Sequence, residues 1–426
     1  MTCEVAIMNK YAVVIAADSA VTSTDGNGAS RYSKGGNKIF QLSRHQPVGV
    51  MIYGAATLDG VPWEIIIKAY RDVLGDSKLP NLCDYAVAFF NFVKSAKHFF
   101  PESDLDLNYR RCLNAAATKL LDEAKDASPI IFDTQEANDV RKAAWDDFLE
   151  KKLSELLKLS LHSEIPPQAW VASEENISEH YPSDMSEFLA KRGLDDVVEP
   201  GSWFKCACTY FFACHTEFLG STGIVFSGFG TEQYFPQVIE YDVPGFVNRE
   251  FIYTQQDFHS CQIGHDVPSA IFQFAMTSSI DAFTQGVDVA AYSQARRSYI
   301  RGAKELALSV LASTNQPAPD DLDDLVEASA ENFSTEWISS VAELHYHPMK
   351  RVIATLPIEE MTHLAETLVV LQSLKERVTS PSQSVGGPID VAVITKSEGL
   401  VWIKRKHFFD AEKNLRYVLR QKALSI

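Results

Sequence analysis

The sequence predicts an α+β fold: a four-layer αββα sandwich, two antiparallel sheets between helical layers, with helical insertions. Three observations predict it. Strand patterns cluster near both ends of the chain, at residues 3–54 and 388–406. A further strand group lies at 222–243, and helical periodicity fills the stretches between. No internal repeat and no low-complexity linker interrupts the order.

The elements follow in sequence. Residues 3–8 and 12–17 are short apolar β-type runs around Asn9-Lys10, and they read as a hairpin. Residues 23–37 are polar and glycine-rich and read as one long loop, of a length that is often functional. "KIFQLS" and "VGVMIYG" form a strand pair around "RHQP". "PWEIIIKAYRDVL" places Pro62 at a helix start, with Ile65, Ile66, Ala69, Tyr70 and Val73 as its apolar stripe. "CDYAVAFFNFVKSAKHFF" is apolar nearly all round and reads as a buried helix.

From residue 101 to 215 the chain becomes charged and helix-rich, broken by "SPIIFD" and "EIPPQ". Residues 134–161 read as a long amphipathic helix carrying Val140, Ala144, Phe148, Leu149, Leu153 and Leu156. "TGIVFSGFG" and "FPQVIEYDV" return to strand patterns. "PSAIFQFAMTSSIDAF" through "ARRSYIRGAKELALSVLAS" reads as helical, and an acidic helix follows "NQPAPDD". Its Asp residues suit the positive end of a helix and need no metal. The chain closes with a helix "IEEMTHLAETLVVLQSLKERV", a loop "TSPSQSVGG", and the strands "PIDVAVITK" and "LVWIKRK" around "SEG". The expected organisation is a first part of the core at 2–100, a helical insertion at 101–215 and core strands at 216–264. Helices with a second insertion follow at 265–350, then the last helix, strands and C-terminal tail at 351–426.

Composition narrows the function. The 426 residues are 46% hydrophobic and 22% charged, a globular balance able to bury a large core. The net charge of −17 argues against nucleic-acid and anionic-membrane surfaces, which need concentrated Lys and Arg. No apolar run approaches the ~18 residues of a membrane span. The start lacks the pattern of a signal peptide, so a cytoplasmic setting is expected. The seven cysteines then read as reduced. Cys206, Cys208 and Cys214 lie beside His215, but C-x-C is not a zinc knuckle, and the spacing of two reads as buried thiols on a strand face. His345 and His347 alternate with no companion carboxylate motif and read as strand or turn residues. No metal and no cofactor is expected.

The chemistry concentrates at the start. Methionine aminopeptidases remove Met1 when the next residue is small, and here it is Thr2. A chain beginning at Thr2 carries a nucleophile and a base on one residue: the hydroxyl attacks and the α-amine takes the proton. A free α-amine titrates near ~7.7–8.0, and a lysine nearby lowers that value by like-charge repulsion. Removal of Met1 is the only activation this reading requires.

"TCEVAIMNKYAVVIAADSAVT" resembles the start of a proteasome β-type subunit, of the N-terminal nucleophile (Ntn) hydrolase superfamily, which includes bacterial proteasome-like threonine peptidases. The match runs without a gap from Thr2 to Thr22. "NKIFQLS" resembles the family's lysine-bearing strand, and "VGVMIYGAATLDG" its glycine-bearing strand. "GIVFSGFG…FPQVIEYDV" and the closing helix with its two strands are similar to later core elements, so the resemblance covers about half of the chain. It implies Thr2 as nucleophile, Asp18 orienting Lys38, and Lys38 lowering the pKa of the Thr2 hydroxyl or amine. It implies the Gly54 N–H as oxyanion donor and Thr22 as the holder of the substrate backbone, with Val21, Ile52 and Ala56 lining an apolar specificity pocket. The family's serine between glycines has its nearest match in "CQIGHDV", which offers His265. Its Asp and Ser ahead of the closing "GG" fall on Ser382 and Val385, with Ser384 adjacent.

The expected function is cleavage of peptide bonds by a threonine-type hydrolase. Two alternatives stay open: an Ntn amidase or acylase acting on small non-peptide amides, the insertions capping its site, and a non-catalytic assembly subunit. The resemblance also implies a homo-oligomer and an ATP-dependent unfoldase as partner.

Overall fold

The computed structural model describes residues 3–24, 30–159, 165, 182–276, 278–379, 385–407, 409–410 and 412–424. Strands β1 (Cys3–Asn9) and β2 (Val13–Ala17) are buried along their whole length, which explains their unbroken apolar runs. They pair antiparallel from Glu4↔Ala17 to Met8↔Val13. The Asn9 side chain closes the turn by accepting from the Tyr11 N–H at 2.9 Å.

Three strands complete the first sheet: β12 (Ser269–Ala275), β13 (Asp390–Thr395) and β14 (Gly399–Lys404), in the order β12-β1-β2-β13-β14. The second sheet runs β11-β10-β9-β6-β5, from β5 (Ile39–Gln41), β6 (Val48–Gly54), β9 (Thr222–Gly228), β10 (Gln237–Val247) and β11 (Glu250–Gln262). Every neighbouring pair in both is antiparallel.

Strand alternation sorts side chains into layers. Ala6, Met8, Ile15, Met51, Val225, Phe274 and Ile394 form the core between the sheets. Val50, Ile52, Ile224 and Tyr241 face helices α1 (Trp63–Leu74) and α2 (Leu82–Ser95). Val5, Ile7, Val14 and Val391 meet the buried face of the last long helix (Ile358–Thr379) on the outside of the first sheet. The result is an α+β sandwich of four layers, as the sequence predicts. Among the described residues no helix is long and apolar enough to cross a membrane.

Helices α3 (Glu102–Ala127), α4 (Asn138–Lys158), α5 (Pro182–Ala190) and α6 (Pro200–Ala213) build a separate core around Leu120, Trp145, Trp203 and Phe211. Val247 and Ile252 of the second sheet join it. Beyond α7 (Ser278–Gln285), helix α8 (Val289–Ser313) buries none of its residues. It lies on α9 (Leu322–Val341) through a Tyr299–Phe333 stack at 4.6 Å and through Arg296, which reaches Glu327 and Glu331. A short α10 (His347–Ile353) then leads into α11, the helix Ile358–Thr379, and α12 (Leu415–Leu424) ends the chain.

Several expectations are corrected. Cys206 and Cys208 sit on helix α6, not on a strand, because that segment is apolar enough to be buried on all sides and the spacing of two loses its meaning. "SAIFQFA" is strand β12, and the helix begins only at Ser278. His345 lies in a π-helical turn (Ala342–Tyr346) and His347 starts α10, so neither is in a strand. Part of the predicted loop at 23–37 is a hairpin of β3 (Val21–Thr24) and β4 (Ser30–Ser33). Helix α2 buries one face only and leaves Val87 exposed. In α1 the buried face is Trp63, Ile66, Ile67, Tyr70 and Leu74, while Ile65 and Val73 point to solvent.

Candidate active site

Where β2 ends, Asp18 turns back toward the start of β1. Its carboxylate is fully buried and, among the described residues, accepts from Lys38 and from three main-chain N–H groups. Oδ1 accepts from Lys38 Nζ at 2.5 Å and from the Cys3 N–H at 3.1 Å. Oδ2 accepts from the Gly386 N–H at 2.8 Å and the Ala20 N–H at 3.2 Å. Two bonds on each oxygen suit the acceptor-only role of a carboxylate. The Asp18 N–H in turn donates to the Cys3 carbonyl at 3.2 Å, so the two strand ends are tied in both directions. Ser19 binds the last loop, its N–H to the Gly386 carbonyl and its hydroxyl to that of Pro388.

Lys38 precedes β5, and its carbonyl accepts from the Ile52 N–H at 2.9 Å. Its side chain is 7% exposed, and its Nζ pairs with Asp18 where a solitary charge would be costly. Lys38, Gly54, Val21, Ile52 and Ala56 all line one mainly apolar cleft of about 510 Å³. Ala20, Asn37, Tyr53, Ala55, Ala275 and Met276 complete its walls.

Gly54 ends β6 with φ of +80°, and a Cβ there would lie 2.5 Å from the Ser221 carbonyl oxygen. Only glycine fits. The next residue is locked: the Ala55 N–H donates to the Ser221 carbonyl, and the Ala55 carbonyl accepts from Thr222 Oγ1, both at 2.9 Å. The buried Trp63 indole N–H donates to the same hydroxyl at 2.9 Å. Across the cleft Ala275 has φ of +64°, a strained conformation for a residue with a Cβ, and it pairs with Cys3. The Cys3 thiol is fully buried. Burial, with Asp18 and Glu4 adding repulsion, holds its pKa well above the usual thiol range.

The sequence-predicted residues thus separate into groups. Asp18 and Lys38 form an ion pair, and Lys38 shares a cleft with Gly54, Val21, Ile52 and Ala56. Thr2, Ser382 and Ser384 lie outside the described residues. The Thr22 backbone pairs with Tyr32 in the β3–β4 hairpin. His265 is elsewhere: it follows β11 and packs edge-on against Phe235. The neighbouring strand β12 starts at Ser269 opposite Asn9, six residues along β1 from Cys3 and so about 20 Å from the Asp18 end. Val385 packs in the core under α11. Sequence reasoning missed the main-chain donors of Cys3, Ala20 and Gly386, and the Thr222–Trp63 brace. Backbone N–H groups leave no mark on a sequence, although the Gly386-Gly387 pair does flag an unusual turn. Among the described residues no group of three or more His, Cys, Asp or Glu could hold a metal ion.

No family model and no curated protein matches the chain. Solved structures do. The Anbu Gly-1 mutant from Hyphomicrobium sp. strain MC1 aligns over 100% of this chain and 98% of its own at 10% identity, with a TM-score of 0.29. The helical assembly of the Anbu complex from Pseudomonas aeruginosa aligns over 99% and 93% at 8% identity, with a TM-score of 0.30. Anbu, described as an ancestral beta-subunit, from Yersinia bercovieri aligns over 100% and 97% at 10% identity, with a TM-score of 0.27. Such TM-scores are too low to argue from, and the architecture rests on the strand pairing itself.

Proposed function

We propose that this chain is an amide-bond hydrolase of the Ntn type that cleaves peptide bonds with Thr2 as its nucleophile. The observation that carries the proposal is the grip on Asp18. One carboxylate oxygen holds both Lys38 and the N–H of Cys3, the residue next to Thr2 in the chain. A cation fixed there favours the deprotonated forms of a hydroxyl or amine beside it. In the proposed mechanism the Thr2 amine, freed by loss of Met1, takes the proton of the Thr2 hydroxyl as Oγ attacks the amide carbon. The Gly54 N–H stabilises the oxyanion. The amine returns the proton to the departing nitrogen, and water then hydrolyses the ester. The apolar cleft walls Val21, Ile52 and Ala56 favour a hydrophobic residue before the cut.

Intact mass before and after incubation with a peptide carrying a threonine-directed electrophile tests this. The expected result is a chain lacking Met1 with one adduct on Thr2, lost in Thr2→Ala. A chain that keeps Met1, or processed protein that takes no adduct, overturns it and favours an assembly role. A small-amide substrate is the second reading, favoured by the insertion. Asn108 of α3 donates to Asp59, five residues past Gly54, so this helix of the insertion meets the segment that follows the cleft wall. Turnover of small amides but not of peptides would select that reading. Oligomerisation and an unfoldase partner belong to the same proposal and rest on the sequence resemblance.

A further inference from the structure

A second set of polar groups, two of them buried carboxylates, lies between the sheets and reaches the same cleft. Glu4, Tyr53 and Glu240 alternate with residues that face the helices, so they point to the inner faces of the two sheets. Glu240 is 2% exposed. Its Oε1 accepts from the Tyr53 hydroxyl, and its Oε2 lies 2.6 Å from His259 Nδ1. Its own N–H donates to Ser260 Oγ at 3.2 Å. The Tyr53 ring stacks on Phe274 at 5.9 Å and also covers Gly223, where a Cβ would fall 2.0 Å from the ring. His259 meets Phe274 and Phe272 edge-on at 5.5 and 6.1 Å.

Tyr53 is therefore fixed three ways: by a hydrogen bond, a stack and a glycine notch. A planar peptide joins it to Gly54, and that plane carries the Gly54 N–H. Whatever holds Tyr53 aims that N–H. Burial, then the bond to Glu240 and the charges of Glu240, Glu4 and Asp242, push the Tyr53 phenol far above its ordinary range, so it remains a donor. His259 reaches solvent at 33% side-chain exposure and contacts the outer oxygen of an otherwise enclosed carboxylate.

We infer that Tyr53, Glu240 and His259 are positioning residues that set the orientation of the Gly54 N–H from strand β11. The inference rests on the oxyanion-donor role given above to Gly54. None of the three acts on substrate chemically. A buried carboxylate needs partners for both oxygens, and here one partner belongs to the cleft wall and the other to the edge strand.

The test uses the full chain as wild type and as Tyr53→Phe, His259→Ala and His259→Gln. Two quantities are read: amide hydrogen exchange of the segment 48–56 by mass spectrometry, and acylation by the electrophilic peptide, separated into saturation constant and limiting rate. Tyr53→Phe and His259→Ala are expected to speed exchange in that segment and not in β13 or β14. They should lower the limiting rate about tenfold, part of the 10²–10³ lost when an oxyanion donor is removed, and leave the saturation constant within about twofold. His259→Gln can donate to Glu240 and should recover both readouts. Unchanged exchange at 48–56, exchange raised throughout the chain, or equal behaviour of the Ala and Gln variants overturns the inference. If the exchange pattern appears as expected while wild type takes no adduct, the positioning stands and the hydrolase reading falls.

Discussion

Replacing Asp59 by Asn should stabilise the protein, and by an amount that depends on pH. Asp59 and Gly60 form a two-residue turn with φ of +45° and +82°, joining two short strands, β7 (Thr57–Leu58) and β8 (Val61–Pro62), just past the cleft. Asn is at home in such a turn. Burial drives the Asp59 carboxyl up from its ordinary 3.8 to about 6, despite the bond from Asn108. Its Oδ2 has no hydrogen-bond partner among the described residues. The folded chain therefore holds the proton more tightly than the unfolded one, and stability falls as pH rises between 3.8 and about 6. At 1.36 kcal/mol for each tenfold change in the proton equilibrium, the cost above that window is about 3 kcal/mol. With ~2.1 cal/mol/K per residue, a 426-residue chain unfolding as one unit converts this to about 3 °C in Tm. Asp59→Asn keeps the shape and the acceptor for Asn108 but cannot ionise. Calorimetry should show the variant about 3 °C above wild type at pH 8, with the gap falling to about half at pH 5. A gap of constant size, or a variant less stable at pH 8, would refute the reasoning.

Three further outcomes are expected. Lys38→Met leaves Asp18 buried without its cation and should cost about 3–5 kcal/mol, so urea melts that superimpose on wild type would contradict the pairing. Gly54→Ala forces a Cβ to within 2.5 Å of the Ser221 carbonyl at a positive φ, and the limiting acylation rate should drop about 10²-fold or more; a rate within about twofold of wild type would remove Gly54 from the mechanism. Cys3, fully buried and raised in pKa, should resist iodoacetamide at pH 8 in native protein and react in urea, as peptide mapping reads; native labelling would show the β1 end to be open.

Much of the fold was readable because burial on two sides leaves a plain signature. The β1–β2 hairpin, the strand pair before Gly54 and the closing helix with its two strands all stand where the apolar runs put them. The pattern misled where an element is buried all round. In α6 ten residues, among them Cys206, Cys208 and Phe211, are buried in one helix, so the alternation of the cysteines meant nothing. In β12, "SAIFQFA" runs into "SSIDAF" with little to mark where strand gives way to helix. For the site, charged side chains were visible and their placement followed from the strands: Asp18 follows one and Lys38 precedes another. Asp18 also accepts from main-chain groups of Cys3, Ala20 and Gly386, whose role depends on backbone direction and not on residue type. His265 was placed by a local glycine pattern, and the β1–β12 register puts it at the far end of the sheet.

The bond from Gly386 to Asp18 spans 368 residues, and β13 finds its place beside β2 over a similar interval. During synthesis the hairpin beside Asp18 precedes the Gly386 N–H by that interval and must wait for it. At about 5–20 residues per second that wait lasts roughly 20–70 s. Until then the first sheet lacks β13 and β14, the carboxylate lacks part of its hold, and the apolar residues of β1 and β2 lack the helix Ile358–Thr379 that covers them in the complete fold. Closure of the hold on Asp18 is thus tied to the arrival of the Gly386 turn, with the interval along the chain as its clock.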